Sequence, residues 1–183
     1  VFGIVHMNTA RLTQADRLDI RMTGSNSGGY RSYLTAFGPY WNRATFNDSH
    51  IETASGAAFW LQGSNHALTV NGSDVTAGDG SGRLLRVSDT VFTDGSSVAT
   101  SRIDFSADAS TLRGDVVVDS ATADVRMVLG NGTTFSGALR NNSGYQVAQL
   151  ALDGSSQWNV RASSSVGALE HAGTIAFDAP GAS

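Results

Sequence analysis

The chain has 183 residues, a formal net charge of −4 and no cysteine. This length allows one domain with its own hydrophobic core, and the lack of cysteine excludes disulfides, thiol nucleophiles and thiolate metal sites. The acidic balance argues against nucleic acid as a partner, because binding to a phosphate backbone needs a concentrated basic surface. Four scattered histidines offer little for an imidazole site, so no metal or cofactor is predicted.

Only 15% of the residues are charged, and the chain contains 21 glycines but two prolines. A composition rich in Gly, Ser, Thr and β-branched residues favours short strands joined by tight turns over long helices. No stretch approaches the roughly 18 apolar residues of a membrane span. The chain opens with an apolar run from Val1, which we interpret as a boundary inside a longer folded body.

A turn signature recurs along the chain: an apolar residue, then Asn or Asp with Gly or Ser, then another apolar residue. Its Asn and Asp positions are Asn47, Asn71, Asp94, Asn131 and Asp153. The spacing is about 23 residues except between Asp94 and Asn131, and this is the size of one solenoid coil.

Between these turns, apolar and polar residues alternate and predict short strands with one inward face. In chain order the clearest examples are residues 67–70, 84–87, 115–118, 125–128 and 147–152. Helical spacing is missing from the sequence, so almost no α-helix is expected.

A coil of about 22 residues with three short strands predicts an all-β fold, a single-stranded parallel β-helix of about eight rungs. The alternative is a β-sandwich with hairpins at the Asn-Gly pairs. The repeat is longer than the usual spacing of hairpin strands, which favours the β-helix.

The C-terminal part carries the most specific pattern. It consists of an apolar-x-apolar strand, Ser156-x-Trp158-x-Val160, a Ser-x-Val-x-x-Leu run ending at Leu169, and Gly-Thr-Ile-x-Phe followed by Pro180. This pattern resembles the end of a pertactin-like autotransporter passenger domain. Residues 114–116 and 131–139 resemble the two preceding rungs, so the resemblance covers residues 104–180.

The resemblance implies a right-handed β-helix that a Gram-negative bacterium exports through its own C-terminal translocator barrel, which is absent from this chain. It implies an extracellular location at the bacterial surface and a role in host interaction, by adhesion or by immune or complement evasion. The partner would be an unidentified host cell-surface or serum protein. Within one continuous domain, residues 1–103 would form the less regular stem and residues 104–183 the C-terminal rungs with an autochaperone segment.

The autochaperone segment is expected to cap the open end of the β-helix, because an unpaired sheet edge invites aggregation. By the family pattern, apolar side chains of the last rungs should stack into a terminal plug. The predicted members are Leu152, Trp158, Val160, Val166, Leu169, Ile175 and Phe177.

The tripeptide Arg113-Gly114-Asp115 spells an integrin-binding motif and is the candidate receptor contact. Its Gly-Asp half also fits a structural rung of the family. The triplet stands at the start of a predicted strand, whereas recognition residues usually occupy protruding loops.

A glycan-processing β-helix enzyme and an inert structural stalk are the alternative functions. The aspartates fall mostly within the turn signatures, where they suit corners. No Gly-x-Ser-x-Gly elbow occurs, and His6, His50, His66 and His171 lack a triad context. We therefore predict that the chain is not an enzyme.

Residues 28–43 form the one segment in which aromatic residues alternate with arginines. Tyr, Trp and Arg are favoured in binding hot spots, so the segment is a candidate binding surface. Aromatic residues packed inside an elaborated rung are the alternative and the preferred interpretation.

Overall fold

The computed structural model describes residues 1–7, 12–25, 27–34, 40–80, 82–141 and 147–177. Strand makes up 67% of the structure and helix 2%, and parallel strands form the three sheets of a parallel β-helix. The predicted fold class is therefore confirmed. In the described parts of the chain, no helix is long and apolar enough to cross a membrane.

Each turn of the β-helix, called a rung below, contributes one strand to each of three sheets. Sheet A contains β1 (Phe2–Met7), β4 (Gly28–Tyr33), β7 (Phe59–Gln62), β10 (Arg83–Ser88), β15 (Asp115–Val118) and β18 (Leu139–Asn141). Sheet B contains β2 (Leu12–Asp16), β5 (Trp41–Asn47), β8 (Ser64–Asn71), β13 (Thr100–Asp108), β16 (Asp124–Gly130), β19 (Val147–Leu152) and β21 (Val166–His171). Sheet C contains β3 (Asp19–Met22), β6 (His50–Thr53), β9 (Asp74–Ala77), β14 (Thr111–Arg113), β17 (Thr134–Gly137), β20 (Gln157–Val160) and β22 (Thr174–Phe177).

The described strands make six full rungs and a seventh built from β21 and β22, fewer than the eight expected. The estimate was too high because two rungs carry insertions. The regular spacing is 23 or 24 residues, as between Ser49 and Ser73. It rises to 31 between Asp16 and Asn47 and to 37 between Ser73 and Ser110.

The longer insertion contains an antiparallel hairpin of β11 (Thr90–Val91) and β12 (Ser97–Val98). Asp94 belongs to this hairpin, and its carboxylate accepts hydrogen bonds from the backbone N–H and hydroxyl of Ser96. The rung position after Asn71 is Asp108, which pairs with it in register. The interpretation of Asp94 as a rung corner was wrong, because hairpin turns and rung corners use the same Asx-Gly chemistry.

The corners between sheets B and C follow an Asx-x-Ser pattern with a left-handed middle residue, such as Gly72 with φ 55°. The Ser73 hydroxyl is buried, donates to the Asn71 carbonyl at 2.7 Å and accepts the Ser49 N–H at 2.9 Å. Ser110 repeats this arrangement one rung later. The recurring signature is therefore a hydrogen-bonded column that satisfies backbone groups from rung to rung.

Apolar side chains point inward and stack in columns, one residue from each rung. The longest column of sheet C consists of Ile20, Ile51, Val75, Leu112, Phe135, Trp158 and Ile175. Each rung packs its apolar side chains against one another and against those of its two neighbouring rungs, so stability passes along the β-helix by nearest-neighbour contacts.

Candidate functional site

The Arg113-Gly114-Asp115 triplet spans the corner between β14 and β15. Arg113 points outward with 45% of its side chain exposed and donates to the Asp74 carboxylate at 2.9 Å. Gly114 has φ 127°, and a Cβ there would lie 2.9 Å from the Gly82 carbonyl oxygen. The glycine is therefore required by the close approach of the neighbouring rung.

Asp115 points into the structure, with 11% of its side chain exposed. Its carboxylate accepts hydrogen bonds from the Ala138 N–H at 2.8 Å and from Arg140 Nε at 2.5 Å. The triplet thus has a complete structural role that links successive rungs. Its use as a receptor contact stays a prediction, and a receptor would have to displace Arg140 to reach this carboxylate.

The predicted cap residues lie on consecutive strands of the last two rungs. Trp158 is 4% exposed, stacks on Phe135 at 6.2 Å between ring centroids, and donates from Nε1 to the Gly137 carbonyl at 3.0 Å. Leu152 and Val160 are also buried. These three side chains belong to separate inward columns and together contribute to the apolar interior of the sixth rung.

The remaining predicted cap residues occupy the seventh rung. Val166 and Ile175 are partly buried against the core, whereas Leu169 is 41% and Phe177 59% exposed. Leu169 and Phe177 continue inward columns, but no described rung covers their outer side, so they do not close a plug. Pro180 lies outside the described residues.

The turn aspartates serve the backbone. Asp153 accepts hydrogen bonds from the hydroxyls of Ser155 and Ser156 and from the Asn131 N–H of the preceding rung. The Ser156 hydroxyl, followed by the Asn131 N–H, lowers the pKa of the Asp153 carboxyl well below its usual range. Among the residues described, no group of three or more His, Asp or Glu side chains is placed to hold a metal ion.

His66 is the most perturbed titratable group of the interior. Burial lowers its pKa to about 4, against the opposing hydrogen bonds from Nε2–H to the carbonyls of Gly63 and Gln62. Among the described residues, Nδ1 of His66 has no hydrogen-bond partner, and neither has Oδ1 of Asn42, its register neighbour.

The aromatic and arginine segment divides between core and surface. Tyr30 is buried and packs edge-on against Phe46 at 5.4 Å between ring centroids, as the preferred interpretation expected. Arg31 points outward instead, with its guanidinium carbon 4.7 Å from the Tyr33 ring and 4.5 Å from the Trp60 ring. Residues 35–39 of this segment lie outside the described parts.

Sequence reasoning missed the participation of Trp60 and Arg86 in this surface. The Arg86 guanidinium lies 4.6 Å from the Trp60 ring, and Trp60 occupies the rung between Arg31 and Arg86. Period-two alternation already places both residues on outward positions of β7 and β10. Their juxtaposition needed the strand register, which the irregular rung lengths hid.

Sheet B also carries an outward groove, with a volume of about 370 Å³. Its two arginines are each balanced by an aspartate, because Arg102 pairs with Asp104 at 2.9 Å and Arg126 with Asp124 at 3.2 Å. The sheet A surface is different, since there the arginines lie mainly against aromatic rings.

Comparison with family models, with curated proteins and with solved structures finds no significant match to this chain.

Proposed function

We propose that the chain is part of a passenger-type β-helix displayed outside a Gram-negative cell, where it acts in host interaction by adhesion or by immune or complement evasion. Its partner is a host cell-surface or serum protein. Its C-terminal rungs act as an autochaperone that folds first and templates the preceding rungs. This role is structural and recognitive, without catalysis.

One observation carries the proposal: the residues of the C-terminal pattern lie in register on consecutive strands. Trp158 of β20 pairs with Phe135 on one side and with Ile175 of β22 on the other. Val147 of β19 pairs with Val166 of β21. A pattern that resembles a passenger terminus therefore occupies the last rungs and builds their apolar columns, as a templating segment requires.

The exposed faces of the described rungs supply surface for recognition. Outward arginine and aromatic side chains meet on sheet A, where Arg31 and Arg86 flank Trp60. These residue types dominate the binding energy of many interfaces. The turn carboxylate of Asp153 is engaged by turn hydroxyls and backbone N–H groups, which favours recognition over glycan cleavage.

Binding of the purified, labelled chain to host epithelial cells and to immobilised serum proteins tests the host interaction. We expect saturable binding that exceeds the binding of an unrelated protein of similar charge. If binding does not exceed this background on any cell type or serum fraction, the host-interaction role is wrong.

The Arg113 triplet is tested in the same assay by Arg113→Ala, because Asp115→Glu would disturb the ion pair that the buried Asp115 makes with Arg140. Arg126→Ala is the matched control, since Arg126 is equally exposed and also paired with an aspartate. A loss of attachment in Arg113→Ala alone would support the triplet. Equal attachment of both variants would remove it as a contact.

A further inference from the structure

A shallow pocket opens on the outer side of sheet A, at its corner with sheet C. It encloses about 270 Å³. Its lining combines two aromatic rings, two arginines and a small-residue floor: Phe2, Gly28, Ser55, Gly56, Ala57, Trp60, Arg83 and Arg86. We call it the arginine–aromatic pocket.

The floor of the arginine–aromatic pocket is bare backbone because larger residues do not fit there. A Cβ on Gly28 would lie 2.4 Å from the Phe2 ring, and a Cβ on Gly56 would lie 2.0 Å from the Ser27 carbonyl oxygen. The Phe2 ring thus lies against the Gly28 backbone, 5.8 Å from the Trp60 ring centroid. The pocket therefore has an apolar wall, formed by the Phe2 ring, beside a floor of small residues.

Around this wall, the arginines outnumber the carboxylates that pair with them. Arg86 is neutralised by Asp119 at 2.8 Å, but Arg83 has no acidic partner within the described part of the chain. Behind Trp60, Arg31 donates to the amide oxygen of Gln62 and makes no ion pair with any described carboxylate. Two positive charges therefore remain uncompensated on a chain whose net charge is −4.

The lowered pKa of Arg31 also reflects the positive charge at this surface. Burial is the main cause that lowers its pKa, and the nearby charge of Arg86 lowers it further. A negative group brought to this surface would relieve that repulsion, and guanidinium groups bind carboxylate and sulfate oxygens with paired N–H donors.

From this arrangement we propose that the arginine–aromatic pocket binds an acidic saccharide. The apolar face of the sugar ring lies against Phe2 and the glycine floor, and its carboxylate or sulfate binds Arg83, the pocket arginine that has no acidic partner in the described part of the chain. The inference names a ligand class for the host interaction and rests on that proposed function for its biological setting. A ring that is apolar on one face and anionic at one edge matches both halves of the pocket.

The direct test is calorimetric titration of the whole chain with a chondroitin sulfate tetrasaccharide. A neutral chitin tetrasaccharide is the uncharged control, and single-stranded DNA is the control for a non-saccharide polyanion. We expect saturable binding of the acidic tetrasaccharide alone. No binding of it, or equal binding of the neutral tetrasaccharide or the DNA, would overturn the inference.

Variants locate the site. Arg83→Ala removes an exposed arginine and should weaken binding about tenfold, the change that 1.4 kcal/mol produces. Arg126→Ala removes the same charge from the balanced groove on sheet B and should bind like the wild type. If both variants lose the same affinity, binding reflects net charge and no pocket exists.

Phe2→Ala tests the apolar half without changing charge, because it removes the ring that forms the wall beside Trp60. It should weaken the binding of the tetrasaccharide, with an unchanged circular dichroism spectrum as the check on folding. Unaltered affinity in a folded Phe2→Ala variant would refute the assigned wall. Saccharide binding without cell binding would refute the host interaction alone, and cell binding without saccharide binding would refute this inference alone.

Discussion

Replacement of Trp158 by alanine probes the terminal column most directly. The variant removes a side chain that is 4% exposed, together with its stack on Phe135 and its hydrogen bond to the Gly137 carbonyl. Loss of a buried tryptophan to alanine costs about 3–5 kcal/mol where the site does not collapse. This is a large part of the roughly 5–15 kcal/mol that keep a domain folded.

The loss should be directional, because each rung contacts only its neighbours. Hydrogen exchange followed by mass spectrometry should show reduced protection in residues 147–177 of Trp158→Ala before any reduction in residues 41–53. Phe46→Ala is the matched control, since Phe46 is fully buried in the second rung. It should reverse the order, with residues 41–53 losing protection first.

Refolding kinetics distinguish a C-terminal segment that folds first and templates the other rungs from one that is only the end of the β-helix. If the C-terminal rungs fold first, Trp158→Ala should slow refolding, whereas Phe46→Ala should mainly accelerate unfolding. Trp158→Phe keeps an aromatic ring on Phe135 but leaves the Gly137 carbonyl unpaired, at a cost of about 1–3 kcal/mol. Uniform loss of protection, or a slower refolding rate in Phe46→Ala alone, would refute the templating role.

Three further predictions concern single positions of the fold. The free energy of unfolding should fall by about 3 kcal/mol as pH drops from about 6.5 to about 4, because His66 takes up a proton in the unfolded chain in this window but stays neutral in the folded chain. Chemical denaturation at several pH values should show this fall in the wild type and not in His66→Gln. Gly114→Ala should cost about 1–3 kcal/mol and lower the thermal midpoint. Gly154→Ala, whose Cβ would meet no atom of the described residues within 4 Å, should unfold like the wild type. Ser73→Ala should lower the free energy of unfolding in urea by about 1–3 kcal/mol, since it leaves the buried Ser49 N–H without an acceptor. An unchanged urea midpoint would contradict the stabilising role of the hydrogen-bonded column at the corners between sheets B and C.

The fold was predictable because turn chemistry and strand alternation repeat once per rung. Asn71, with Gly72 and Ser73, marks a corner both in sequence and in structure. The register was not predictable where a hairpin interrupts the period, since the turn at Asp94 satisfies its own backbone just as a corner does. Local signals identify a turn, but only packing between rungs decides whether that turn belongs to the core coil.

The candidate sites were also hard to predict, because they depend on contacts between rungs. In a β-helix, neighbours on one face come from different rungs, so Arg31 meets Gln62, Trp60 meets Ser88, and Arg86 meets Asp119, at separations of 31, 28 and 33 residues. A contiguous triplet such as the one at Arg113 instead runs around a corner, where its side chains contact the rungs on either side. Recognition surfaces of this fold are therefore expected to be columns that cross rungs, and a linear motif is the weaker guide to where a partner binds.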